Sequence, residues 1–252
     1  VDPARIGARV WLWNGQWQRA FGTAAEYIAL PSDQAVDLAD DISFNAGATL
    51  GIPALTAAHA LFSGGDIAGK TLLISGGGGS VGYMAVQLAK SAGATVIATA
   101  SSGKSSDEAK TAGADHVLDY RAADLADQIL AANNGALIDR AVETEFGLNI
   151  DLLATVMAPN STIAAYGSAL NMTPTLPFGP LLFKAITVQI VLVYILTAPE
   201  RAAAIARVNS ALDSGALTPR IHATYPLADC AAAHAAVEAA NRHGAILLDT
   251  TA

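Results

Sequence analysis

From residue 71 onward the chain alternates between two hydrophobic patterns. Short, mostly apolar runs rich in β-branched residues recur at 71–75, 95–99, 116–120, 136–143 and 161–166. Runs of this kind mark strands buried on both faces of a parallel sheet. Between them, apolar residues return at helical spacing. The clearest case is Val81, Met84, Ala85, Leu88 and Ala89; weaker ones cover 105–112, 124–132 and 149–157. A final apolar run, 186–196, reads as a sixth strand. The β-α repeat predicts an α/β fold with a right-handed, doubly wound parallel sheet.

The flanks read differently. Residues 7–13 predict a strand with Trp11 and Trp13 on one face and Val10 and Leu12 on the other. Residues 22–30 predict a second strand, 31–41 a loop, 43–51 a short helix capped by Ser43, and 52–62 a further helix. Ala158, Pro159 and Asn160 form a turn, and the three prolines of 173–180 exclude regular structure there. After Pro199 come a helix to about Asp213, a strand at 221–225, a helix over 228–241 and a last strand at 245–248.

The first β-α junction carries the chemistry. Gly77, Gly79 and Gly82 fit G-x-G-x-x-G between a strand and a helix, the context that separates a dinucleotide turn from a glycine-rich linker. Gly77 permits the tight turn. Gly79 lets a diphosphate approach the backbone, and Gly82 lets the helix pack close to its strand. The free N–H groups at the helix start then face the phosphates. After the second strand an NAD site would place an acid on the ribose hydroxyl. This chain has Ala100, Ser101, Ser102, Gly103 and Lys104 instead, a set of hydroxyls and a cation that suits a 2′-phosphate. NADPH is the expected cofactor; a solvated polar loop with NAD bound is the alternative.

Composition narrows the classes. The 252 residues are 52% hydrophobic and 14% charged, with a net charge of −8, which argues against a nucleic-acid surface. The single cysteine, Cys230, excludes an intrachain disulfide and a multi-cysteine zinc site, and reads as an inert thiol. The most apolar run, residues 186–197, is too short for a membrane-spanning helix. Residues 1–10 lack a signal-peptide core, so a cytoplasmic protein without a membrane partner is expected. The opening at Val1, in mid-pattern, suggests a fragment. Glu26, Glu143 and Tyr166 are possible acids, each with a structural alternative. Thr56 and His59 are the polar side chains of the helix at 52–62; unaided, the sequence reads Thr56 as bonded to its own backbone.

The succession GARVWLW, GIPALTAAHALF, SGGGGSVGYMAVQLAKSAGATVIAT, AGADHVLDYR, TYPLADCAAAHAAVE and HGAILL resembles the zinc-free medium-chain dehydrogenase/reductases, and among them the zeta-crystallin-like NADPH:quinone oxidoreductases. The resemblance implies a Rossmann NADP-binding domain, 49–198, inserted in a partial GroES-like, β-rich catalytic domain, 1–48 and 199–252. It implies metal-free reduction of a quinone, with an enoyl-thioester or enone reductase or a non-catalytic NADPH-binding protein as alternatives. In the enoyl-reductase reading, Phe178, Leu181 and Phe183 would line an acyl channel. By the same resemblance Thr56 approaches the nicotinamide. Gly79, Ser80, Val81 and Gly82 form the diphosphate turn, with Ser80 standing where many members have glycine. Lys104 lies one place from the usual phosphate-binding lysine, Tyr120 covers the adenosine, and Gly167 and Ser168 form the loop after the fifth strand. Leu192 and Val193 lie where the sixth strand passes the nicotinamide, and Arg242 is displaced from a basic residue near the C-terminus. The resemblance further implies a homodimer or tetramer paired through 186–196. It assigns no catalytic acid.

Overall fold

The computed structural model describes residues 2–101, 103–239 and 242–251. Ser102 and the predicted helix end at Asn241 lie outside them. The chain opens with two short strands, β1 (Val10–Leu12) and β2 (Ala35–Asp37), then α1 (Phe44–Gly47), one wide turn over Leu50–Ala54, and α2 (Leu55–Phe62). The central repeat runs β3 (Thr71–Ile74), α3 (Ser80–Ser91), β4 (Thr95–Ala100), α4 (Lys104–Thr111), β5 (His116–Asp119), α5 (Leu125–Ala132), β6 (Ile138–Glu143), α6 (Phe146–Val156) and β7 (Met157–Ala165). It continues through α7 (Phe178–Phe183) and β8 (Thr187–Ile190). The chain closes with α8 (Ala198–Asp213), β9 (Ile221–Pro226), α9 (Cys230–Glu238) and β10 (Ala245–Asp249).

Strands β3 to β8 form one six-stranded parallel sheet in the order β5-β4-β3-β6-β7-β8. The order reverses between β3 and β6, so the carboxyl ends of these two neighbours flank a topological switch point. Side chains alternate across the sheet as a doubly covered sheet requires. Leu72, Ile74, Val96, Ala98, Val142 and Ala164 pack into the core shared with α2, α3 and α8. Leu73, Ile97, Ala141, Ile163 and Ala165 pack into the opposite core with α5 and α6. The two outer segments build small two-stranded sheets, β1 antiparallel to β2 and β9 parallel to β10.

Several expectations are corrected. Residues 22–30 form no strand: no described residue lies alongside to share a ladder, and Phe21 and Tyr27 remain 83% and 89% exposed. The second strand lies instead at Ala35–Asp37, in the predicted loop, because β1 offers its edge there. The turn at 158–160 falls inside β7. Its register jumps from Ile138↔Met157 to Arg140↔Thr162, so four residues bulge out opposite Asp139, with Asn160 at φ 60°. The helix predicted over 52–62 starts as a wide turn, because Pro53 cannot donate to a regular helical ladder. Phe178–Phe183 is helical despite its prolines: Pro177 precedes the first turn and Pro180 sits within it, where an amide is not needed. The strand predicted over 186–196 stops at Ile190, and Val193–Ile195 turn as a 3-10 helix.

The tightest point of the sheet is where α3 meets β3. Gly82 lies in the first turn of α3, and a Cβ there would overlap the Gly76 carbonyl. Alanine normally stabilises a helix over glycine by about 1 kcal/mol. Here the sign reverses: Gly82→Ala is expected to lower unfolding free energy by about 2–4 kcal/mol in urea melts.

Candidate functional site

Strand β3 ends at Ile74, and the next five residues turn the chain into α3. Gly76 takes φ 69°, open to glycine at little cost. Its carbonyl accepts from Gly79 N at 2.8 Å, and Gly77 N donates to Thr99 O at 2.8 Å, which ties the turn to the end of β4. Gly77 is wedged against Ala98 and Ala109, where a Cβ would come within 2.7 Å of the former. The first closed turn of α3 is Tyr83 N to Gly79 O at 2.8 Å. The amides of Ser80, Val81 and Gly82 precede it and have no intrahelical acceptor, so they form an anion-seeking end.

A cavity of about 740 Å³ reaches this helix end. Ser80, Val81, Tyr83 and Met84 line one wall; Arg220, Arg242 and Gly244–Leu247 line another; Trp11, Asn14, Phe44, Ile52 and Pro53 line the rest. The structure therefore places Arg242 on the same cavity as Ser80 and Val81, although the two segments are far apart in sequence. Arg220 is the functional candidate that sequence reading passed over. Nothing in its local pattern marks it, because its partners come from α3 and α4.

The other predicted residues distribute along the carboxyl ends of the strands. Ser101 follows β4 and Lys104 opens α4. Tyr120 follows β5, is 53% exposed, and has the Arg121 guanidinium over its ring. Gly167 and Ser168 follow β7. Gly167 abuts the Thr144 carbonyl, and the Ser168 hydroxyl accepts from Gly147 N at 2.8 Å and donates to Asn171 O at 2.5 Å. Thr56 donates its hydroxyl to Ile52 O at 2.7 Å, the backbone alternative read from sequence. Leu192 is 42% exposed and Val193 buried, both beyond the end of β8. Leu181 is buried against the sheet while Phe178 and Phe183 are exposed, so the three do not share one channel.

At the switch point itself lies Glu143, fully buried at the end of β6. One carboxyl oxygen meets the Ser75 hydroxyl at 2.5 Å; the other accepts from Glu145 N at 2.5 Å and Asn149 Nδ2 at 3.0 Å. Burial pushes its pKa up, against these hydrogen bonds, which pull it down. Tyr166, beside it, is pushed up to about 12 by burial and by the Glu143 charge, so it holds its proton tightly. Both groups pin strand ends, the structural alternative for each.

Comparison with known proteins places the chain. Residues 80–210, just over half of it, match the family model for zinc-binding dehydrogenases. The chain belongs to this family, as a quinone-oxidoreductase-like medium-chain dehydrogenase/reductase. A quinone oxidoreductase from Sus scrofa is 28% identical over 218 residues, covering 84% of this chain and 64% of that protein. The chain thus spans a little under two thirds of that relative. A trans-enoyl reductase, tndF, from Aspergillus flavipes is 38% identical over 119 residues, 44% of this chain and 34% of its own. A mycobacterial protein solved in complex with NADPH is 27% identical with a TM-score of 0.80, covering 90% of this chain and 71% of its own.

The family's name implies zinc. Among the described residues no group of three or more His, Cys, Asp and Glu is placed to hold a metal ion, and Cys230 opens α9 alone. The residues present do not fit a zinc site. They do fit a dinucleotide: the glycine turn has no Cβ to fill its cradle, three amides await an acceptor, and no carboxylate stands between β4 and α4.

The Glu143 shift carries a pH dependence. A carboxyl whose folded pKa is raised contributes stability that is complete below its unfolded pKa and is lost as pH rises through the folded value. Glu143→Gln mimics the protonated form, with its amide donating to Ser75. Relative to the parent chain it is expected to gain stability as pH rises from 4.5 toward 8, in paired urea melts; a gap that does not change with pH would refute this.

Proposed function

We propose that the chain binds NADPH at the β3–α3 turn and uses it to reduce a quinone or a similar electron-poor acceptor without a metal. One observation carries the reading: a turn of glycines leads into a helix whose first residues, Ser80 and Val81, line a large cavity, and the segment after β4 offers Ser101 and Lys104 where an acid would select NAD. When bound, the nicotinamide supplies the hydride; the protein supplies binding, orientation and shielding. Gly77, Gly79, Ser80, Val81 and Gly82 hold the diphosphate. Ser101 and Lys104 hold the 2′-phosphate, Tyr120 covers the adenosine, and Arg242 contributes a cation to the cofactor cavity. Thr56, Gly167, Ser168, Leu192 and Val193 bound the nicotinamide end. Residues 49–198 serve as the cofactor domain; 1–48 and 199–252, with their two small sheets, serve the substrate side. The name of the Sus scrofa relative and the NADPH in the mycobacterial complex support this reading.

The resemblance to tndF favours a second reading, reduction of an enoyl thioester or enone. A chain that binds NADPH without turnover is the third. Both sides of the exposed edge at β8, with Ile190, Ile195 and Phe183, suit pairing with a second copy, as a homodimer or tetramer. A monomer by sedimentation at micromolar concentration would refute that pairing. Among the described residues no helix is long and apolar enough to cross a membrane, and a cytoplasmic enzyme is the corresponding proposal.

Titration with NADPH and NADH tests the cofactor. NADPH is expected to bind at least about tenfold tighter, and Lys104→Ala to remove about that factor, ~1.4 kcal/mol, while leaving NADH unchanged. A preference that survives the substitution removes Lys104 from the site; no binding of either nucleotide overturns the reading. Rates on quinones against enoyl thioesters separate the first two activities.

A further inference from the structure

Arg220 stands just before β9, 142 residues from the glycine turn, yet it touches three parts of that unit. One guanidinium nitrogen donates to the Gly78 carbonyl at 3.0 Å. Another pairs with Glu108 on α4. The guanidinium carbon lies 3.7 Å from the centre of the Tyr83 ring on α3. The side chains of Arg220 and Glu108 are only 16% and 17% exposed, so the pair is shielded from the screening that weakens surface ion pairs.

The consequence falls on one peptide unit. Between Gly78 and Gly79, the carbonyl is held by Arg220 and the N–H by the Gly76 carbonyl at 2.8 Å. Glycine on both sides leaves such a unit the widest rotational freedom in a chain. Gripped at both ends, it has given up that freedom before any ligand arrives, and ligand binding then need not supply the ordering cost. Gly78 is also pressed against the first turn of α4, where a Cβ would overlap the Ser105 carbonyl. Arg220 closes the remaining side.

We propose that Arg220 is a positioning residue for diphosphate binding: it fixes the Gly78–Gly79 peptide so that the free amides at the start of α3 stand ready. The proposal rests on the nucleotide reading above. A lysine cannot replace it, since a single ammonium cannot stack on Tyr83 and fork to Gly78 and Glu108 together. A direct role on the 2′-phosphate is the competing reading, and comparison of NADPH with NADH separates the two.

Arg220→Met keeps packing on Tyr83 and removes the donors. In ligand-free protein, exchange of the hydrogen-bonded loop amides Gly77 and Gly79 is expected to rise about tenfold, with α8 unchanged. Affinities for NADPH and NADH are expected to fall by the same factor, about tenfold, because the diphosphate is common to both. Adenosine 2′-phosphate, which has no diphosphate, is expected to bind as before. Glu108→Gln, which leaves Arg220 in place, is expected to act in the same direction by about two- to threefold and serves if Arg220→Met does not fold. Unchanged exchange in the loop overturns the proposal. So does a loss confined to NADPH, which would make Arg220 a 2′-phosphate ligand, or an equal loss for adenosine 2′-phosphate, which would make it a general brace. If the parent chain binds neither nucleotide, the functional reading falls, and the exchange measurement alone still decides whether Arg220 holds the loop.

Discussion

The close approach of the Gly82 backbone to the Gly76 carbonyl sets most of what surrounds it. Because α3 can sit that near its strand, its first amides lie at the carboxyl edge of the sheet instead of a side chain's width away. Gly77 N bonding to Thr99 O then fastens the same turn to β4, and Glu143 joins the ends of β3 and β6 through Ser75. Three neighbouring strand ends are thereby held in one place. A rigid rim of this kind is what lets a turn made of glycine, the most flexible residue, present a fixed set of donors.

The outer segments complete the site from the other side. Arg201 of α8 stacks on Trp13 at 3.8 Å, Asn14 donates to Tyr194 O at 2.9 Å, and Trp17 stacks on Tyr194 with centroids 4.3 Å apart. These contacts dock the first strand region on the chain that follows β8. Arg220 does the same for the β9 region, against α3 and α4. An apolar core that includes Trp11, Leu38, Val208 and Leu212, together with these polar and aromatic contacts, joins the flanks to the central domain without a continuous sheet. The cavity lies where these flanks meet the start of α3.

Electrostatics follows from the same arrangement. Arg140 is buried on the α2 side of β6, donating to Ala60 O at 2.6 Å, Ser63 Oγ at 2.9 Å and Gln189 Oε1 at 3.0 Å, and burial brings its pKa down to about 10. It supplies the donor that the last turn of α2 lacks, where a cation is favoured by the helix dipole. Glu143 plays the matching part for the amides at the start of α6. Both charges sit inside because the sheet brings unpaired backbone groups there.

The central repeat was legible from the sequence because its two periods are local. A run such as TLLIS and the helical spacing of Val81, Met84 and Leu88 name their own elements, and the glycine spacing between them names the junction. Strands in the flanks were not legible, since a strand exists only where another backbone answers it: residues 22–30 alternate but meet no partner, while Ala35–Asp37 pairs because β1 lies beside it. The glycine turn, Ser101 and Lys104 could be placed from their neighbours along the chain. The backbone bond of Thr56 was readable too, since its acceptor Ile52 lies one helical turn back. Arg220 beside Gly78, Arg242 lining the same cavity as Ser80, and the Ser168 hydroxyl meeting Gly147 N depend on distances through space between remote segments. Those distances are fixed only when the sheet, its helices and the two flanks have packed together.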